Sequence, residues 1–415
     1  MIYFVPMKLW LKYLIGAILG VAFAIILPPQ STQAQAVLDF IINFIIRFGR
    51  YSLMPLLFFS IITACFKLRD QKLMLKTGLW IFGTIILSSV LLVVLGLGSA
   101  LIIKPPRIPM TIEKINEIPS LDIKSLLLKI FPYSGFSSLL NDSFLLPCFI
   151  FAGLAGTAAA DDQGASKTAM SFFTSISKIC YIIMSFCTEL LAIGMIAFTC
   201  RWTLTFIALN NLKVFTPMFT LLGALFAVTA LVIYPLIIRF VCHDRHPYRV
   251  LYASITPILI AFFSGDTNIT LPLLIRHGKE SLGIRHRINA VTFPLFSIFA
   301  RGGAALVISV CFIVVLRTYS LLEINMTSIL WIGIMSFLIS FVLGEHSSGG
   351  PFLALTILCI MYGKGYESGY LLLRDAAPIL GAFAAAFDAL TAIVGSYIVG
   401  IKTNTVTHIE LRKFI

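Results

Sequence analysis

Arg301 and Asp388 are charged side chains set deep in apolar sequence, the first inside the run 288–316 and the second inside 382–393. An ionised group at membrane depth costs about 2.5 kcal/mol or more, so each must face protein or water and hold a partner. Together they predict a buried guanidinium–carboxylate pair in which Arg301, permanently protonated, takes the space of a coupling cation. The following Gly302-Gly303 fits an unwound backbone better than a continuous helix. The alternatives are a snorkelling arginine, which the depth weighs against, and a protonated Asp388.

A second set of residues lies at two polar breaks. Residues 250–275 run apolar to Phe263, break at Ser264-Gly265-Asp266-Thr267-Asn268 and resume with Ile269-Thr270-Leu271-Pro272. Residues 325–363 repeat the pattern around Gly344-Glu345-His346-Ser347-Ser348-Gly349-Gly350-Pro351. Hydroxyls, an amide and backbone N–H groups at helix N-termini suit a solute carboxylate. Asp266, Thr267, Asn268, Ser347, Ser348 and Gly349 are therefore candidate solute contacts. Glu345 and His346 are candidate proton carriers, histidine titrating nearest neutral pH. Capping of broken helix ends accounts for these side chains equally well. Arg47, Arg50, Glu189 and Arg374 lie near span ends or in loops and read as interfacial.

The elements that hold these residues follow from composition. Of 415 residues, 59% are hydrophobic and 12% charged, about half the ~25% charged content of soluble domains. With a mean hydropathy of +0.98, a soluble enzyme is excluded. Apolar stretches of about 20 residues recur, each long enough to cross a ~30 Å hydrocarbon core. Eight spans are predicted at 9–28, 37–66, 77–103, 138–160, 170–200, 214–242, 288–316 and 370–401. Segments 250–281 and 325–363 enter and return as re-entrant helical hairpins, each followed by a span. Irregular backbone at this depth is tolerated only where protein or a water-filled cavity satisfies it, and two such hairpins of opposite entry point to a transporter site near the midplane.

The excess of 31 Lys and Arg over 18 Asp and Glu sits in short loops, where it sets orientation rather than binding nucleic acid. Clusters at 67–76, 239–249 and 276–287, with Lys8, Lys12, Arg412 and Lys413, fall on one face, which is then cytoplasmic, both termini included. The N-terminal apolar run leads into Pro28-Pro29 without a cleavage signal and reads as a retained first span of a multi-pass inner-membrane (plasma-membrane) protein. Eight isolated cysteines read as buried hydrophobes, with no metal site, and no cofactor is expected. No metal triad, Ser/His/Asp set or phosphate loop appears at helical spacing, which argues against an enzyme.

Met54-Pro55-Leu56-Leu57-Phe58-Phe59-Ser60, Leu146-Pro147 with Phe149-Ile150-Phe151, Thr270-Leu271-Pro272 and Thr292-Phe293-Pro294-Leu295 share order and spacing with one family. The chain resembles the dicarboxylate/amino acid:cation symporters, the glutamate-transporter homologues. The resemblance implies an all-α fold of eight transmembrane helices plus two hairpins in inverted repeats. It also implies a homotrimer embedded in lipid and an elevator-type mechanism. Residues 1–242 would form mainly the scaffold, with spans three and six joining the transport domain, and 243–415 its core. Departures are informative. Asp266, Thr267 and Asn268 replace the family's three serines, and Ala300-Arg301-Gly302-Gly303-Ala304 replaces its Asn-Met-Asp-Gly-Thr, removing sodium ligands. The positions that hold a substrate amine, an acidic side chain and an amide fall on Ala377, Leu380 and Ala384, while the last acidic position survives as Asp388. The expectation is a sodium-independent transporter of a small organic solute, an amino acid by resemblance. The alternative is a transport-incompetent channel-like or substrate-sensing protein on the same fold.

Overall fold

The computed structural model describes residues 8–27, 32–109, 123–140, 144–209, 212–320 and 324–415. Pro28-Pro29, parts of the predicted loops 29–36 and 104–129, and the Lys413 side chain lie outside the described residues. The described residues fold into sixteen α-helices: α1 (Leu9–Ile26), α2 (Thr32–Tyr51), α3 (Leu53–Asp70), α4 (Met74–Ile103), α5 (Ile123–Ile130), α6 (Leu146–Asp161), α7 (Gln163–Ile207), α8 (Leu212–Val228), α9 (Tyr234–Val241), α10 (Tyr248–Ser264), α11 (Thr267–Glu280), α12 (His286–Phe299), α13 (Gly302–Tyr319), α14 (Met326–Val342), α15 (Gly350–Tyr362) and α16 (Ala377–Lys402).

Among the described residues, eight helical stretches are long and apolar enough to cross a membrane. Their burial separates a centre from a rim. The 18-residue apolar window is 94% buried in α12–α13 and 83% in α16, against 33% in α1 and α4. A helix that is apolar all round belongs in the interior, and α13, with Ala304 to Leu316 wholly buried, is one. α1 instead turns Ile18, Phe23, Ile25 and Ile26 outward, a surface suited to hydrocarbon.

The predicted spans differ from the structure in detail. The span at 37–66 is two helices, α2 and α3, parted at Ser52. Within the span at 138–160, whose residues 141–143 lie outside the described residues, the α-helix α6 has 16 residues or about 24 Å, whereas the first arm of the second hairpin, Met326–Glu345, reaches 20 residues. Span six carries a π turn at Thr229–Ile233 between α8 and α9. Pro235 there has no N–H to offer the Leu231 carbonyl, and the Tyr248 hydroxyl donates to that oxygen instead at 3.2 Å.

Each of the two polar breaks separates a pair of shorter helices, α10 from α11 and α14 from α15. α10 and α11 have 17 and 14 residues, α14 and α15 17 and 13. α10 and α11 pack against α16, α11 also against α12, and α15 against α13 and α16. α1 lies on α7, α3 on α6 and α7, and α12 meets α3 across the two groups.

Candidate functional site

The site is built where three chain breaks converge on α16. Gly265 ends α10 in the left-handed region, φ +62°, which only a residue without Cβ adopts cheaply, and its N–H donates to Ala261 O at 2.9 Å. That turn sets up Asp266 as N-cap of α11, its Oδ1 accepting from the Asn268 N–H at 2.8 Å and the Ile269 N–H at 3.4 Å. In the second hairpin Gly349, φ +70°, opens α15. The two tips then join: Asp266 and Ser348 form an antiparallel bridge, and the Thr267 N–H donates to Ser347 O at 3.2 Å.

Below the tips the helix breaks at Ala300 and Arg301, and α13 restarts at Gly302. Gly303 is needed for close approach, since a Cβ there would lie 2.4 Å from Phe387 Cβ and 2.7 Å from Asp388 Oδ1. Its bare backbone donates N–H to Asp388 Oδ1 at 2.8 Å. Arg301 Nη1 stands 3.8 Å from Asp388 Oδ2, with side chains 4% and 6% exposed. The expected pair is thus present as an ion pair beyond hydrogen-bond reach, and the carboxylate takes its short bond from the backbone. Among the described residues, Arg301 Nε and Nη2 have no hydrogen-bond acceptor.

Arg301, Asp388, Thr267, His346, Ser347 and Ala384 line a small cavity of about 10 Å³, room for about one water. Of the other candidates, Leu380 packs in the apolar core, Ala377 sits in the first turn of α16, and neither reaches this cavity. Leu380 is apolar on a core-facing turn, which is why it packs rather than lines. Asn268 turns toward Ser297, 3.5 Å away. Ser348 and Gly349 are exposed on the outer side of the tip bridge. Glu345 points away from the cavity and pairs with Lys129, leaving His346 alone of the two on the cavity wall.

Two residues that read as interfacial are built into the protein instead. Arg50 at the end of α2 pairs through Nη2 with Asp266 Oδ2 and donates to Ser347 Oγ at 3.2 Å, touching both tips at once. Its side chain is 12% exposed. Glu189 on α7 accepts from Lys12 and, at 2.9 Å, from Arg276 of α11, which also donates to Thr188 Oγ1 at 2.8 Å. Arg47 and Arg374 are exposed. The signal for Arg50 was in the sequence only as the unusual Asp266, a carboxylate where hydroxyls would serve and which therefore needed a cation.

Comparison with known proteins bears on what such a site belongs to. Over 310 residues, 66% of this chain and 67% of the relative, the chain is 23% identical to an uncharacterized symporter of Haemophilus influenzae. It is 31% identical over 106 residues to the neutral amino acid transporter B(0) of Oryctolagus cuniculus, and 32% over 80 residues to that of Homo sapiens. Those two matches cover 25% and 19% of this chain, but only 19% and 15% of the transporters' length. The family model described as the sodium:dicarboxylate symporter family matches residues 9–401, from the first helix through the last long one. A buried hairpin-tip site within so extensive a match makes the conclusion direct: the chain is an integral membrane protein of the sodium:dicarboxylate symporter family.

Proposed function

We propose that the protein is a secondary active transporter of a small carboxylate-bearing organic solute, an amino acid by analogy with its relatives, and that it works without sodium. The observation that carries this reading is the charge inventory of the site. Two arginines, Arg50 and Arg301, stand against two carboxylates, Asp266 and Asp388, with side chains 12%, 4%, 7% and 6% exposed. The site is neutral with its own side chains, and a buried sodium would add an uncompensated charge. The free donors of Arg301 face the cavity that the hairpin tips cover, where a carboxylate would meet a charge-assisted contact once the second hairpin opens. Leu380 offers no cation to an acidic side chain, so a neutral amino acid fits better than aspartate or glutamate.

In this reading α10–α11 and α14–α15 are re-entrant hairpins that move with α12–α13 and α16 as the core of an elevator, residues 243–415. Spans three and six accompany them, and the remaining N-terminal spans form a trimeric scaffold. His346 is the candidate proton carrier on the cavity wall, and both termini face the cytoplasm from the plasma membrane. The second reading, a transport-incompetent protein on the same fold, is favoured by the Arg50 contact to both tips and by a cavity with no room for an amino acid while they are closed.

Uptake and solute affinity in proteoliposomes, measured across a sodium titration at fixed ionic strength, separate these readings. Solute-specific uptake independent of sodium is the expected result. A steep rise with sodium overturns the charge argument, and absence of any flux with retained binding supports the second reading.

A further inference from the structure

A separate cleft opens where three segments distant in sequence meet: Lys8 ahead of α1, residues 245–252 leading into α10, and residues 411–412 after α16. Its volume is about 620 Å³. Lys8, Arg245, His246, Arg249 and Arg412 line it, and no carboxylate does. The neighbouring Asp244 is already committed, accepting from the Tyr397 hydroxyl at 2.6 Å and the His246 N–H at 3.0 Å. Arg249 is held in place: Nη1 lies 3.0 Å from His408 Nδ1, Nη2 donates to Ile409 O, and the guanidinium sits 5.7 Å from the centre of the Phe414 ring. Arg245 and Arg412 are exposed and, among the described residues, have no acidic partner. Arg249 and His246 share the field of Asp244, but Arg245 and Arg412 leave the cleft with a net positive charge, and such a cleft favours an anion.

Exposed apolar side chains lie beside the cleft. Tyr248, on its wall, bonds to the Leu231 carbonyl of the neighbouring span, where Leu231, Leu236 and Phe240 are 58%, 49% and 71% exposed. A free phosphate needs no such flank, whereas a lipid has an acyl chain to lay along it. Lys8 begins the apolar α1 and Tyr248 begins α10, so the cations stand at the polar ends of apolar helices, the level of a headgroup. We infer that this cleft binds the phosphodiester headgroup of an anionic phospholipid. Because Lys8 caps α1 while Tyr248, Arg249 and Tyr252 belong to α10, a bound lipid links the start of the N-terminal helix to the first hairpin.

Native mass spectrometry of the full chain in detergent, titrated with phosphatidylglycerol or with phosphatidylcholine of the same acyl chains, tests this. The wild type should retain phosphatidylglycerol in preference. The double variant Arg245→Gln/Arg412→Gln should lose about thirtyfold in that affinity, about fivefold per juxtamembrane charge, while Arg245→Lys/Arg412→Lys retains it. A control, Lys72→Gln/Lys76→Gln, removes one exposed cation from the turn after α3 and one from the first turn of α4, and should change little. Equal losses in the control and cleft variants, or no loss in the cleft variant, overturn the proposal. Displacement of the lipid by millimolar inorganic phosphate would assign the cleft to free phosphate instead and overturn the lipid. A glutamine variant that fails to fold leaves the lysine variant and the headgroup preference of the wild type to decide.

Discussion

The two buried ion pairs of the site join different parts of the protein. Arg301 and Asp388 both belong to the tightly packed centre, on either side of the α13–α16 contact, and Gly303 presses the two helices so close that the carboxylate is held by backbone as well as by charge. Arg50 and Asp266 come from separate groups, the end of α2 and the tip of the first hairpin, and Arg50 reaches the second tip through Ser347. The first pair is positioned to persist whatever the tips do. The second must part whenever a tip moves away from α2. We propose that the same chemistry serves as permanent charge compensation in one place and as a separable clasp in the other.

Single substitutions of the central pair should have the largest effect. Arg301→Ala or Asp388→Ala leaves a buried unpaired charge and should cost about 3–5 kcal/mol, while the double variant should cost less than their sum. Melting of the purified variants in detergent measures this, and additive losses would remove the pairing. At the clasp, Arg50→Gln or Asp266→Asn should cost less stability but loosen the tips. A hydrogen bond between charged groups contributes about 1.5–3 kcal/mol, so a cysteine placed at His346 on the cavity wall should react with a thiol reagent more than tenfold faster in the Arg50→Gln background. An unchanged labelling rate would make the clasp ornamental.

Gly303→Ala tests the packing half of the central pair. The added Cβ meets Phe387 and Asp388 at under 3 Å, and overpacking of this kind costs about 1–3 kcal/mol. A neutral result would mean that α13 and α16 can separate, and the contrast with the tips would weaken. The smallest effect is expected outside the membrane at Asp244. Partial burial pushes its carboxyl up, but the His246 N–H, the Tyr397 hydroxyl and nearby Arg249 outweigh that and hold it below the usual carboxylate range. A depressed folded-state value contributes stability above the unfolded value, about 3.9, and loses it as pH falls through the folded one. Asp244→Asn should therefore melt below wild type at neutral pH, with the gap closing in acid. A gap independent of pH would assign the contact to hydrogen bonding alone.

Much of this was written in one dimension. Long apolar runs admit few folds, because every backbone polar group at membrane depth must be satisfied within the segment. The all-helical fold and the helix breaks at 264–268 and 344–351 followed from that, as did the proximity of Arg301 to Asp388, since two opposite charges stranded in apolar sequence have few other partners. Tertiary structure alone decided the rest. Leu380 and Ala377 share a helix with Asp388 yet miss the cavity, because rotation about the helix axis depends on what α13 and α15 press against it. Glu345 and His346 are adjacent in sequence, but one faces Lys129 and the other the cavity. Arg50 lies 216 residues from Asp266, and only docking of α2 against the hairpins takes it from the expected interface into the site. The cleft at Lys8 and Arg412 depends in the same way on bringing residues far apart in the chain to one place, an arrangement of surfaces that local periodicity does not encode.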